Sequence, residues 1–160
     1  MKNIVLFRNN LRVNDNPALQ SAARSGKILP LYIHDELNTN KPLGAASKYW
    51  LHNALISLNH DLKNSLVFKK GSTLKILKSI IQELSIDFVY IDRTYTPSEI
   101  ELDIKMNSML FDIGVQLKSY NCSLLWEPKS IFKLDKSPYK VFTPYYKNGC
   151  LNGPTPPTPV

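Results

Sequence analysis

The chain has little cysteine, little glycine and little arginine, and it lacks any long apolar run. The two cysteines, Cys122 and Cys150, are too few for a disulfide framework, and no metal-ligand spacing surrounds them. They read as ordinary thiols of a cytosolic protein. No apolar run reaches the ~18 residues that span a bilayer. The run near the start, Ile4 to Phe7, is far too short for a signal peptide, so the expected location is the cytoplasm with no membrane partner. Only six glycines occur, and none follows that first apolar run, where Arg8-Asn9-Asn10-Leu11-Arg12 stands instead. The glycine-rich dinucleotide fingerprint and the P-loop are both absent, which disfavours ordinary nucleotide binding. No nucleophile elbow is present. His34, His52 and His60 lack zinc-type spacing and read as surface or capping residues. No metal ligand and no catalytic residue is assigned.

What is present is an alternation of short apolar runs with amphipathic stretches over 160 residues, enough for one domain with a sizeable core. The apolar runs 3–7, 28–33, 66–68, 87–91 and 115–119 predict five strands. Helices are predicted between them. Asp15 or Asn16 caps the first, with Pro17 in its opening turn and Gly26 as its stop. Residues 45–64 form a long second helix. Ser72 caps a third that runs to about Leu84, and Ser98 caps a fourth that runs to Ile113 and stops at Gly114. Strands alternating with helices argue an α/β fold: a Rossmann-like three-layer α/β/α sandwich with a five-stranded parallel sheet in the order 3-2-1-4-5. Ligands of such sheets bind outside the carboxyl ends of the strands. Here that rim carries residues 8–14, 34–44 and 92–98.

Several rim residues admit two readings. The net charge of +7 suits an anionic partner, yet most of it is lysine spread along the chain; the four arginines include a close pair, Arg8 and Arg12. That pair either reaches an anionic ligand as planar forks or ties loops together through Asp15, Asp35 or Asp92. Trp50 lies at helical spacing with Leu51, Ala54 and Leu58, which makes it core by default. Lys48 and Tyr49 occupy other faces and can turn toward the rim, where a flat aromatic suits stacking on a ring ligand. Glu99 either complements a helix dipole or accepts hydrogen bonds from the ring N–H groups of a pterin or flavin. The aromatic run 139–146 reads as a core lid or an interface. The tail 151–160 holds four prolines in ten residues and reads as a spacer, so the chain is expected to be one domain, 1–150, of something larger.

Four motifs in order carry a family resemblance. The segment 5–19, Val-Leu-Phe-Arg-Asn-Asn-Leu-Arg-Val-Asn-Asp-Asn-Pro-Ala-Leu, resembles the opening motif of the DNA photolyase/cryptochrome family. Gly44 to His52 resembles the start of that family's next helix, Lys70-Gly71-Ser72 a characteristic turn, and Tyr139 to Tyr145 the motif that closes its N-terminal domain. The proline-rich tail resembles the start of its interdomain linker.

The resemblance implies the N-terminal, light-harvesting domain of a bacterial deoxyribodipyrimidine photolyase, a carbon–carbon lyase that repairs pyrimidine dimers in damaged DNA. It implies an antenna chromophore in this domain, either a reduced folate such as methenyltetrahydrofolate or a deazaflavin. FAD and catalysis belong to the family's helical C-terminal domain, which these residues do not include. The isolated domain is expected to be inactive and monomeric, with that FAD domain as its partner. Carried over from the family, the antenna contacts are Arg8, Asn9, Asn10, Leu11, His34, Asp35, Lys48, Trp50, Ser98 and Glu99. Two positions depart from the pattern: Asn10 stands where the family usually has Asp, and Leu102 where an Arg usually precedes the residue matching Asp103. A cryptochrome-type photoreceptor domain and a free-standing ligand-binding module are the alternatives.

Overall fold

The computed structural model describes residues 1–36, 42–128 and 130–160. Residues Met1–Cys122, with Val160, form one compact unit and Ser123–Pro159 a second.

In the first unit, five parallel strands alternate with four helices: β1 (Lys2–Phe7), α1 (Pro17–Ser25), β2 (Lys27–His34), α2 (Ala45–Asp61), β3 (Val67–Lys70), α3 (Thr73–Leu84), β4 (Phe88–Asp92), α4 (Pro97–Asp112) and β5 (Gln116–Tyr120). The sheet order is β3-β2-β1-β4-β5, as the alternation predicts. The expected bounds hold to within about two residues except at the end of α2, where Lys63 and Asn64 leave the helix in left-handed conformations.

The strands are apolar because both faces of the sheet are covered. The period-2 alternation divides them cleanly. Ile4 and Leu6 of β1, Leu31 and Ile33 of β2, and Val89 and Ile91 of β4 pack with Leu77 and Ile81 of α3 and Met106 and Leu110 of α4. Val5, Phe7, Tyr32 and Tyr90 pack on the other side with Ala18 and Ala22 of α1 and Leu58 of α2. The chain thus crosses from one layer to the other after β3, and the sheet reverses direction of growth between β1 and β4.

Local chemistry fixes the element ends. Asn16 caps α1, its Oδ1 accepting from Leu19 N at 3.0 Å, and Pro17 supplies a preset first turn. The cap is Asn16, not Asp15, which lies at φ 50° outside the helix. Gly26 ends α1 where the chain passes against its own start: a Cβ there would lie 2.3 Å from Met1 O. Asn3, buried in β1, donates from Nδ2 to Ala22 O and Ser25 Oγ, fastening the last turn of α1 to the sheet. The cap of α4 is Thr96 rather than Ser98, because Pro97 takes the first helical position; the Thr96 side chain makes no capping bond, its Oγ1 donating to Glu99 instead.

Among the described residues the second unit contains one helical turn, Phe142–Pro144, continued as a wider π-type turn over Tyr145–Cys150. Within it Tyr139 meets Tyr145 edge-on, Phe142 stacks on Tyr146, and Trp126 Nε1 donates to Pro154 O at 2.7 Å. Both cysteines are free and buried. No described helix is long and apolar enough to cross a membrane.

Two adjacent residues of α4 test which face of the helix holds the fold. Leu110 is fully buried and Phe111 is 81% exposed. Leu110→Ala is expected to cost about 2–5 kcal/mol in urea denaturation and Phe111→Ala within about 0.5 kcal/mol. Equal losses would contradict the assigned core.

Candidate functional site

A cleft of about 720 Å³ opens above the carboxyl ends of β1 and β2, walled by the first turns of α2, α3 and α4. Its volume lies in the range of small-molecule sites. Of the ten rim residues expected from the sequence, nine line it: Arg8, Asn9 and Leu11 after β1, His34 and Asp35 after β2, Lys48 and Trp50 on α2, and Ser98 and Glu99 on α4. Leu102, one turn beyond Glu99, also lines the cleft, so the position that departs from the family pattern presents an apolar side chain to it.

Asn10 is the exception. It is 7% exposed and faces inward beneath the loop, into a separate cavity of about 10 Å³ shared with Asn16 and Asp92. Neither its Oδ1 nor its Nδ2 has a hydrogen-bond partner of ordinary geometry among the described residues. Along the loop Asn9 and Leu11 turn to the cleft, which leaves Asn10 on the opposite side.

Arg8 is a floor tie rather than a free fork. Its Nε lies 3.3 Å from Asp92 Oδ1, its Nη1 2.5 Å from Asp103 Oδ1, and its Nη2 donates to Asp92 O. Thr94 Oγ1 donates to Asp103 Oδ2 at 3.3 Å. Of the two readings of the arginine pair, loop fastening is what the geometry shows. The same holds for Arg12, which donates to the carbonyls of Asn14, Asp15 and Cys122 and meets the Asp15 carboxylate at 3.3 Å. Burial pushes the Asp92 carboxyl above the ordinary range, against the pull of Arg8. For Arg8 burial acts downward, but its bonds to Asp103 and Asp92 outweigh it and hold the guanidinium charged.

Glu99 stands in the first turn of α4 with both oxygens engaged. Asn9 Nδ2 donates to Oε1 at 2.7 Å and Thr96 Oγ1 to Oε2 at 2.6 Å. An ionised carboxylate has room for further donors, so Glu99 is held in place yet still able to accept from a ligand. Asp35 faces the cleft but caps a neighbour: its Oδ2 accepts from Thr73 N at 2.7 Å, at the start of α3. Ser72 holds the cap position of that helix, as expected, but its side chain makes no capping bond. His34 Nε2 lies 3.2 Å from Glu36 Oε1, whose Oε2 lies 3.1 Å from Lys70 Nζ. The lysine, then the histidine, holds the Glu36 carboxyl below its usual range.

Trp50 is not core. It is 63% exposed and forms part of the cleft wall. Apolar residues lie all round α2, and only Leu58 is fully buried, while the first turns from Ala45 to Trp50 are exposed. Helical spacing therefore identified a face without saying which half of the helix reaches the sheet. Ser47, three residues before Trp50, and Leu51, one turn beyond Ser47, line the cleft too, as do Tyr32 and Ile33 at the end of β2. Sequence reading passed over these four; helical spacing and position at a strand's carboxyl end were the available signals. No cluster suited to a metal ion occurs among the described residues.

The family model described as DNA photolyase matches residues 3–160. The chain belongs to the DNA photolyase family. It is 34% identical to the deoxyribodipyrimidine photo-lyase of Agrobacterium fabrum over 148 residues, 90% of this chain and 30% of that protein. Cryptochrome-2 of Arabidopsis thaliana is 32% identical over 157 residues, 94% of this chain and 25% of that one. Among solved structures, a class III photolyase from Agrobacterium tumefaciens matches with a TM-score of 0.86 at 33% identity, covering 98% of this chain and 34% of that one. An archaeal photolyase from Sulfolobus tokodaii, described with two FAD molecules and a novel light-harvesting cofactor, matches with a TM-score of 0.82 at 27% identity, covering 94% and 35%. The chain thus spans about a third or less of these relatives.

The buried tie beneath the cleft makes a sharp prediction. Arg8→Ala strands the Asp92 and Asp103 carboxylates and is expected to cost about 3–5 kcal/mol at neutral pH. Because Asp92 binds its proton more readily folded than unfolded, its ionised form weighs against the fold as pH rises through that raised range. The deficit of the variant is therefore expected to shrink toward about pH 4.5, measured by urea melts at both pH values. A deficit independent of pH would place the loss in packing rather than charge.

Proposed function

We propose that this chain is the light-harvesting domain of a photolyase-type protein and that the cleft holds its antenna chromophore. The observation that carries this reading is the pairing, across one cleft, of an exposed indole on α2 with a carboxylate fixed by Asn9 and Thr96 on α4. A flat heterocycle with ring N–H groups matches both: the indole gives a face to stack on, and the carboxylate accepts from the ring edge. A reduced folate such as methenyltetrahydrofolate, or a deazaflavin, has that chemistry and fits a volume of about 720 Å³. Such a chromophore, when bound, absorbs light and passes the excitation to FAD. In this reading FAD sits in a helical domain that follows residues 1–150 through the proline-rich segment 151–160. Arg8 and Asp92 keep the floor rigid, Glu99 and Asn9 orient the ring, and Leu102, Leu11 and Leu51 exclude water from its lower edge.

At the level of the whole protein the proposed activity is light-driven reversal of pyrimidine dimers in DNA, with catalysis outside these residues and in the cytoplasm. Similarity to the Agrobacterium photo-lyase supports it. Similarity to a plant cryptochrome at nearly the same identity supports the second reading, a blue-light photoreceptor domain on the same scaffold.

Titration of the 160-residue chain with methenyltetrahydrofolate and, separately, a deazaflavin, followed by tryptophan fluorescence and ligand absorbance, is expected to give saturable binding for one of them. Trp50→Ala should weaken it about 5- to 100-fold through lost stacking. Glu99→Gln should weaken it by about tenfold or more through loss of a charged acceptor. No binding of either ligand would remove the antenna reading. Dimer repair by the chain alone in light would remove the placement of catalysis elsewhere.

A further inference from the structure

Between Leu62 and Gln82 the sequence carries five lysines and no aspartate or glutamate. The overall lysine distribution hides this segment, and the fold gives it a place. It covers the turn after α2, the whole of β3 and most of α3. Strand β3 is the edge of the sheet, paired only with β2. Lys69 lies opposite Ile33 in that pairing, and Ile33 packs in the α3–α4 layer. Lys69 therefore stands on the α3 side of the edge. Helix α3 packs over β2, the neighbour of β3, and shows solvent Lys75 and Lys78 one turn apart, with Ser79 and Gln82 completing that face. Lys63, Lys69, Lys75 and Lys78 are all exposed, and among the described residues no salt bridge engages them, while Lys70 is paired to Glu36.

Lysines on an edge strand keep it from pairing with another sheet. That accounts for Lys69 and Lys70 but not for Lys75 and Lys78, which lie on a helix with no edge to protect. A basic face spanning a strand edge and the adjoining helix, with Glu36 at one border and Glu83 at the other, has the charge pattern of a phosphate-backbone footprint. The scarcity of arginine there, and the absence of aromatic side chains on that face, leave nothing suited to reading bases.

We propose that the β3 edge and the outer face of α3 bind the phosphate backbone of duplex nucleic acid without regard to base sequence. None of Lys63, Lys69, Lys75 and Lys78 lines the cleft, so the proposal stands whether or not the cleft takes a chromophore.

The test is fluorescence anisotropy of a labelled undamaged duplex with the 160-residue chain over a salt series. Neutralising three phosphates predicts an affinity loss of roughly 40-fold between about 50 and 200 mM salt. The triple variant Lys69→Glu, Lys75→Glu, Lys78→Glu is expected to lose binding at least tenfold and to flatten the salt slope. A matched triple, Lys133→Glu, Lys140→Glu, Lys147→Glu, changes net charge equally in the second unit and is expected to bind within threefold of the parent. Lys→Gln versions at 69, 75 and 78 guard against misfolding, which circular dichroism checks. Equal losses in both triples would reduce the effect to net charge and overturn the site. So would absence of binding at low salt, or binding to anionic phosphatidylglycerol vesicles with none to the duplex.

Discussion

The buried tie of Arg8 to Asp92 and Asp103 is what the rest of the site depends on. It joins the end of β1 to the end of β4 and the second turn of α4, 84 and 95 residues further along the chain, where the sheet reverses its direction of growth. A guanidinium suits this place because its donors lie in one rigid plane and can address two carboxylates and a carbonyl together. A lysine would offer one point charge. With the floor fixed, Asn9 is set beside Glu99, and Glu99 beside Thr96, so a chain of bonds runs from the core to the lip of the cleft. The charges are costly to bury, and the network answers that cost with geometry on every side.

The sheet was legible because its strands are buried on both faces, which writes each as an unbroken apolar run such as Ile4 to Phe7. Strand order followed from the handedness of crossovers. The rim residues were legible for a different reason: in a parallel sheet the carboxyl ends of the strands gather in one place whatever the side chains, so position in the chain gives position in space. What stayed hidden was orientation. Asn9 and Asn10 are neighbours in one loop, yet one lines the cleft and the other lies beneath it. Trp50 shared the spacing of core residues, but no periodicity tells how far along a helix the sheet extends. Asp103, the second partner of Arg8, lies 95 residues away, and only the fold brings it close.

Ser72 stands at the cap position of α3, as the local sequence suggests, but its side chain makes no capping bond, and Ser98 lies inside α4. At α4 the proline fixes the first helical position and moves the cap to Thr96. At α3 the acceptor comes from Asp35, a residue of the loop after β2, and 38 positions separate it from the amide it receives. Helix starts that open onto a cleft are set by the cleft as a whole, which nearest-neighbour reading does not capture.

Those same caps bear on what the cleft admits. In many parallel-sheet proteins a helix start at this rim points bare amides at a phosphate. Here the first turn of α3 already faces the Asp35 carboxylate, and the first turn of α4 holds a proline that has no amide proton and a glutamate. These two positive poles are met from within the chain, whereas the start of α2 has no acid in its first turn. A phosphate brought to either would encounter a fixed negative charge instead of open donors. The architecture is that of many nucleotide binders, but at these two helix starts its anion ports are closed from within the chain.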